Sequence, residues 1–235
     1  MLNQHQRTIS LIGKENHDLL TSKTIMIIGL GAVGGYALEN ITRIGIKNII
    51  AVDFDTFDLT NLNRQILATH QTINTSKTSS ALKRITSINP NATPTAVEQK
   101  LTPSNLDFIL SHTPDFVIDA IDDTKAKTAL IEFLIQNNIP FISALGAALK
   151  YNPELLKTTT LDKTTICPLA KKLRSELRIK NIPINQVNVV YSTEPSHIVK
   201  DENQNNILGS LPFVPMAMGA HLAHFAFQTL LKKGQ

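Results

Sequence analysis

The chain has 235 residues, 42% hydrophobic and 18% charged, so it can bury a sizeable core and is too apolar for global disorder. The formal charge of +4 suits a polyanionic partner such as RNA without requiring one. A single cysteine, Cys167, excludes an intrachain disulfide and a multi-cysteine zinc site. The segment Met1-Leu2-Asn3-Gln4-His5-Gln6-Arg7 lacks an apolar signal core, so a soluble, reducing, cytoplasmic setting is expected.

Residues 7–21 read as an amphipathic lead-in interrupted by Gly13, and Thr24-Ile25-Met26-Ile27-Ile28 as a buried parallel strand closed by glycines. Helical spacing runs over 33–45. A second strand, Ile49-Ile50-Ala51-Val52, ends on Asp53, and a helix over 77–88 stops at Asn89-Pro90. Ala96-Val97 begins a third strand, Phe116–Ala120 is a fourth, a helix follows over 125–137, and Pro140-Phe141-Ile142-Ser143 is the fifth. Strands alternating with helices predict an α/β fold with a doubly wound, mostly parallel sheet. Beyond residue 150 the pattern changes: Lys157–Asp162 and Val187–Tyr191 are strand-like and flank a basic helix over 167–180. The apolar stretch Leu211–Leu231 is broken by Pro212, Pro215, His221, His224 and Gln228, which predicts a buried helix and no transmembrane span.

The chemistry begins at Gly29-Leu30-Gly31-Ala32-Val33-Gly34, between a strand and a helix. Gly29, Gly31 and Gly34 permit a tight turn and bring phosphate oxygens close to backbone N–H groups at a helix N-terminus. Asp53, ending the next strand, is placed to accept from ribose hydroxyls. Alone, these features fit NAD, FAD, S-adenosylmethionine and ATP equally. The polar stretch Asp53-Phe54-Asp55-Thr56-Phe57-Asp58-Leu59-Thr60-Asn61-Leu62-Asn63-Arg64-Gln65 separates them, because a site that expels pyrophosphate needs cations where charge builds. Arg64 offers a planar fork and Lys77 a point charge. Asp122, just after the fourth strand, lies on the sheet edge that binds ligands and suits magnesium, whereas Asp119 and Asp123 fit helix capping as well.

In order and spacing, Gly-x-Gly-Ala-Val-Gly, Asp-x-Asp, Asn61-Leu62-Asn63-Arg64-Gln65, Lys77 and Asp122 resemble the signature of the ubiquitin-activating-enzyme-like (ThiF/MoeB/HesA) superfamily. That resemblance implies a Rossmann-like domain of adenylating type. By position it implies ribose binding at Asp53, with Asp55 beside it in the nucleotide site, phosphate binding at Asn61, Arg64 and Lys77, and a magnesium-associated Asp122. Arg7, in Arg7-Thr8-Ile9-Ser10-Leu11-Ile12-Gly13, resembles an arginine that reaches the partner subunit's site, which implies a homodimer.

The second half narrows the resemblance. Ser143–Ala147, Lys163–Ala170, Leu173-Arg174, Leu177-Arg178 and Val190–Pro195 are similar to the tRNA threonylcarbamoyladenosine dehydratases. Ala32, Gly35 and Ala148-Leu149 depart from that pattern. The branch implies adenylation of the side-chain carboxylate of threonylcarbamoyladenosine in tRNA, then ring closure with loss of AMP. Its cofactors would be ATP, magnesium and a monovalent cation, sodium or potassium. Its partners would be tRNA, a second copy of the chain and a cysteine-desulfurase/sulfur-acceptor system, with no DNA. Residues 1–150 are then the ATP-binding adenylation domain and 151–235 an extension of it carrying substrate and dimer contacts. An adenylyltransferase for the C-terminal glycine of a small ubiquitin-like carrier protein is the alternative, and a non-catalytic nucleotide sensor lies outside both.

Three further features have structural readings first. Cys167 is expected to pack beside Pro168, although sulfur-transfer relatives would use a thiol. His221 and His224 share a helical face but have no third ligand nearby. Lys171, Lys172, Arg174, Arg178 and Lys180 form a basic helix face that could meet RNA phosphates. With no tryptophan and three scattered tyrosines, no base-stacking platform is legible.

Overall fold

The computed structural model describes residues 3–232; Met1 and Leu2 of the segment read for a signal core, and residues 233–235, lie outside it. Helices α1 (Gln6–Ile12) and α2 (Lys14–Thr21) lead into β1 (Thr24–Ile28), α3 (Gly34–Arg43), β2 (Asn48–Asp53), α4 (Lys77–Ile88) and β3 (Thr95–Glu98). There follow α5 (Phe108–Ser111), β4 (Phe116–Asp119), α6 (Thr124–Gln136), β5 (Phe141–Ala144), β6 (Leu156–Thr160), α7 (Pro168–Ile179) and β7 (Asn188–Ser192). A two-stranded hairpin, β8 (Val199–Lys200) and β9 (Asn206–Ile207), precedes α8 (Phe213–Lys232).

The main sheet has seven strands in the order β3-β2-β1-β4-β5-β7-β6. All neighbours are parallel except β6, which pairs antiparallel with β7 at the edge. The expected doubly wound sheet is therefore present, and residues after 150 continue it through β6 and β7. The chain runs outward from β1 in both directions, to β2 on one side and β4 on the other. This is the topological switch point, and it opens a crevice at the carboxyl ends of those strands.

The apolar runs form strands because both faces of the sheet are covered. Ile25 and Ile27 pack beneath Leu38, Ile41, Met218 and Leu222 on one face. Met26 and Ile28 meet Leu130, Leu134, Leu173 and Leu177 on the other. Both faces being buried removes the polar alternation of a half-exposed strand. On the first face α8 lies close against α3 because of Gly219: a Cβ there would stand 2.6 Å from Val33 O and 2.7 Å from Tyr36 Cβ. No helix among the described residues is long and apolar enough to cross a membrane.

Local chemistry sets the helix ends. Ser76 Oγ caps α4 by accepting from Ser79 N, and Asn89-Pro90 ends it. Asp123 caps α6, accepting from Ala126 N at 2.8 Å. The sequence reading did not foresee α5 or the β8–β9 hairpin, which are too short to carry a period.

Candidate active site

The glycine turn leaves β1 under tight steric control. Gly29 has φ +90°, and a Cβ on it would lie 2.8 Å from the Ala120 carbonyl at the end of β4. A Cβ on Gly34 would lie 1.8 Å from Gly29 O, so only glycine closes the turn onto the first residue of α3. At Gly31 a Cβ would meet nothing within 4 Å, so the turn presents open backbone to the crevice there. The other two glycines are required by the turn itself, whereas Gly31 borders open space.

Asp53 lies beneath this turn, 8% exposed. Its Oδ2 accepts from Leu30 N at 2.6 Å, and its Oδ1 from Phe54 N and Asp55 N at 2.7 and 2.9 Å. A carboxylate has about four acceptor positions, so one remains, on Oδ2, for an outside hydroxyl. Asp53 thus has a structural duty that the sequence reading did not assign: it fastens the glycine turn to the loop after β2. Asp55 carries that loop on to Lys77, whose ammonium lies 3.1 Å from Asp55 Oδ2 and whose backbone N–H donates to Asp55 O. Lys77 is only 6% exposed, at the start of α4.

The segment between them folds into a 3-10 turn, Leu59–Asn61, closed by reciprocal capping in which Asp58 accepts from Thr60 N and Asn61 Oδ1 accepts from Asp58 N. The Arg64 guanidinium donates through Nη1 to Thr60 O at 2.9 Å and Asn63 Oδ1 at 2.8 Å. It forms no ion pair with any described residue, so its charge is oriented but not neutralised. Ile66 and Leu67 tie the segment to the first turn of α3, packing where a Cβ on Gly35 would come within 3.3 Å of Ile66. Gly29, Gly31, Gly34, Asp53, Asp55 and Lys77 are thereby linked at the carboxyl edge of β1 and β2, and Asn61 and Arg64 stand on the segment that leaves this edge from β2.

Beyond β4 the three aspartates differ. Asp123 caps α6. Asp119 does not cap: it accepts from Lys127 Nζ at 2.7 Å and from Ser143 Oγ at 2.6 Å, with both members of the Lys127–Asp119 pair wholly buried. Burial drives the Lys127 ammonium below the ordinary lysine range, against the pull of Asp119 and Asp122. Asp122 is exposed and has no hydrogen-bond or ion-pair partner among the described residues.

Sequence reasoning missed Lys127 and Ser143. The signal was present, because Lys127 occupies the first position of the apolar stripe Lys127, Leu130, Ile131 and Leu134 on α6, where a lysine needs a buried partner. It also missed Glu194, which is 6% exposed and accepts from Tyr151 N, Asn152 N and His197 Nε2. Burial raises the Glu194 carboxyl, but these hydrogen bonds outweigh it and hold the group below the usual range.

Arg7 is not brought to this cluster. It is exposed on α1, and His5, two residues before it, packs against Gly45 at the amino end of β2, on the opposite edge of the sheet. Cys167 is buried, and its Sγ accepts from Ala170 N at 3.5 Å at the start of α7. His221 Nδ1 lies 3.2 Å from Thr158 Oγ1, and the described residues contain no cluster of three His, Cys, Asp or Glu able to hold a metal. The basic face of α7 is partly engaged: Arg174 donates to Thr164, Lys180 pairs with Glu132 at 2.7 Å, and Lys172 lies 3.9 Å from Glu176. Two exposed aromatic rings meet on the surface, Tyr151 and His197, with centroids 4.2 Å apart and planes tilted by 33°.

The sequence matches the ThiF family over residues 3–235. The tRNA threonylcarbamoyladenosine dehydratase of Bacillus subtilis (strain 168) is 33% identical over 207 residues, covering 88% of this chain and 81% of that protein. The Escherichia coli (strain K12) protein of the same name is 36% identical over 193 residues, covering 80% and 72%. The crystal structure of the E. coli dehydratase TcdA in complex with ATP superposes with a TM-score of 0.90 at 31% identity, covering 98% of this chain and 95% of that one. With a glycine turn, a cationic loop and an aspartate at one switch point, and a match along nearly its whole length, this chain is a member of the ThiF family.

Proposed function

We propose that this chain is an ATP-dependent tRNA threonylcarbamoyladenosine dehydratase. What supports the reading is that the open Gly31 backbone, the unneutralised Arg64 and the unpartnered Asp122 stand on segments leaving the same sheet edge, in a chain that matches such a dehydratase along nearly its whole length. The carrier-protein adenylyltransferase would share the first half of that site. Nothing in the second half favours it.

In this reading the threonylcarbamoyl carboxylate attacks the α-phosphorus of ATP and pyrophosphate leaves. The N–H groups of the glycine turn and the α3 N-terminus face the phosphates, and Asp53 keeps one acceptor for a ribose hydroxyl. Arg64 and Lys77, with Asn61 beside them, stabilise the negative charge that builds on the β- and γ-phosphates as the bond breaks. A nucleophilic atom of the same side chain then attacks the activated acyl carbon. AMP departs with the former carboxylate oxygen, a ring closes, and the net change is loss of one water. Holding the side chain makes that closure unimolecular. No enzyme nucleophile is needed, and the buried Cys167 thiol is engaged as a cap, which leaves a sulfur-acceptor partner without support.

Magnesium binds through one or two carboxylates together with substrate phosphates. Asp122, exposed just beyond the carboxyl end of β4, would hold it, and the ion would supply charge neutralisation there. None of the described residues identifies a site for sodium or potassium, and no step is assigned to such an ion.

The proposal includes a homodimer. Arg7 lies on the edge opposite its own site, and in this reading its guanidinium serves the phosphates of another copy. Residues 151–235 extend the adenylation domain and carry substrate contacts, and a cytoplasmic location accords with one unpaired thiol. The test is exchange of labelled pyrophosphate into ATP. Exchange that requires threonylcarbamoyladenosine-bearing tRNA supports the dehydratase, and exchange that requires a small carrier protein instead overturns it.

A further inference from the structure

Two loops leave the carboxyl edge of the sheet beside the nucleotide crevice: 145–152 after β5 and 193–198 after β7. One buried carboxylate fastens them together. Both Glu194 oxygens accept from Tyr151 N at 3.1 Å, Oε2 accepts from Asn152 N at 3.0 Å, and Oε1 accepts from His197 Nε2 at 2.7 Å. Lys150, itself 5% exposed, donates to Glu194 O and to Ser196 Oγ at 3.3 Å. Leu149 takes φ +60°, which a leucine adopts only when its surroundings enforce it. Here its N–H donates to Gly209 O and its carbonyl accepts from His197 N, both at 3.0 Å.

This scaffold holds an aromatic pair. The rings of Tyr151 and His197 lie 4.2 Å apart between centroids and 33° from parallel. Tyr151 is 51% exposed, and the His197 side chain is 44% exposed. Packing accounts for neither ring, since the Tyr151 phenol fills no core. Glu194 nevertheless holds the main chain at Tyr151 and the ring of His197, and the two rings pack on each other, which reduces the conformational freedom left to lose on binding a flat ligand.

Position identifies the ligand. The loops that carry the rings leave β5 and β7, and β5 is the neighbour of β4, the strand that delivers Asp119 and Asp122, so the platform shares its edge of the sheet with the nucleotide crevice. A modified nucleotide whose side chain enters the ATP site must leave its stack, and the flanking bases then need new partners. Aromatic rings supply these for unpaired RNA, with little sequence preference. We propose that Tyr151 and His197 form a stacking platform for an unpaired base of the RNA substrate flanking the nucleotide under reaction. The proposal rests on the tRNA-dehydratase reading and adds to it how the RNA is held.

Two measurements test it. The chain has no tryptophan, so Tyr151→Trp places a single fluorophore at the platform. Titration with end-labelled tRNA is expected to quench its emission with the midpoint given by anisotropy of the label. RNA binding without any change in emission overturns the platform. Second, Tyr151→Ala is expected to raise KM for tRNA by about 5- to 100-fold while kcat moves far less, and Tyr151→Phe to restore KM. An unchanged KM in Tyr151→Ala, with the parent active, overturns the platform and leaves the dehydratase reading standing. Tyr151-dependent RNA binding by a parent that converts no tRNA does the reverse.

Discussion

Lys127 Nζ lies 2.7 Å from Asp119 Oδ2, and neither side chain is exposed to solvent. Removing one member of such a pair strands the other charge, which typically costs about 3–5 kcal/mol. Lys127→Met should therefore lower the free energy of unfolding in urea by that amount and Tm by about 6–20 °C. A loss below about 1 kcal/mol contradicts the assignment of this pair as a fully desolvated ion pair.

Gly31 and Gly34 should respond oppositely to the same added methyl. Gly34→Ala forces a Cβ to 1.8 Å from Gly29 O and should destabilise by more than the about 1–3 kcal/mol usual for overpacking. Gly31→Ala meets nothing in the chain, so its Tm should hold while its Kd for ATP rises about tenfold or more, read by calorimetry. Equal loss of stability in the two variants would remove Gly31 from the nucleotide site.

Glu39 links α3 to α4, accepting from Arg43 Nη2 at 2.6 Å and Arg84 Nη2 at 2.7 Å. Burial raises its carboxyl, but the hydrogen bonds from Arg84 and Arg43 outweigh this and hold it below the usual 4.5. The folded form therefore binds its proton less readily than the unfolded chain. This contribution is complete above about pH 4.5 and is lost as pH falls through the lower folded value. Glu39→Gln should cost about 1–2 kcal/mol at pH 7, since both arginines are partly solvated, and should flatten the acid limb of stability below pH 4.5. An acid limb identical to the parent's contradicts the linkage.

Arg7 should act across a dimer. Arg7→Ala and Arg64→Ala homodimers are both expected to be inactive. Refolded together at equal amounts, they should recover roughly one quarter of parental turnover, because half the dimers then carry one intact site. Absence of recovery, with mixed dimers demonstrated by mass, would return Arg7 to the role of an exposed surface residue.

The strands were legible because parallel β-structure covered on both faces leaves unbroken apolar runs, as at Thr24–Ile28 and Phe116–Asp119. Two helix limits were legible locally, at Asp123 before α6 and at Asn89-Pro90 after α4. The glycine turn, Asp53, Arg64, Lys77 and Asp122 could be singled out because each stands at, or in the segment after, the carboxyl end of β1, β2 or β4, the strands that meet at the switch point. What could not be read was pairing across distance. Nothing local says that Lys127 meets Asp119 and Ser143, that Glu194 holds Tyr151 and His197, or that Gly219 lets α8 approach α3. Each pair joins segments that only the sheet order makes neighbours. Arg174 and Lys180 belong to the basic face in sequence, but Thr164 and Glu132 engage them in the fold.

The most direct test is mass analysis of nucleosides from threonylcarbamoyladenosine-bearing tRNA, incubated with the purified protein, ATP and magnesium. The expected product is lighter by one water and forms only with ATP. Arg64→Ala and Asp122→Ala proteins with parental Tm should not form it. Failure of the parent to convert the nucleoside while it binds ATP, or full conversion by either variant, contradicts the account.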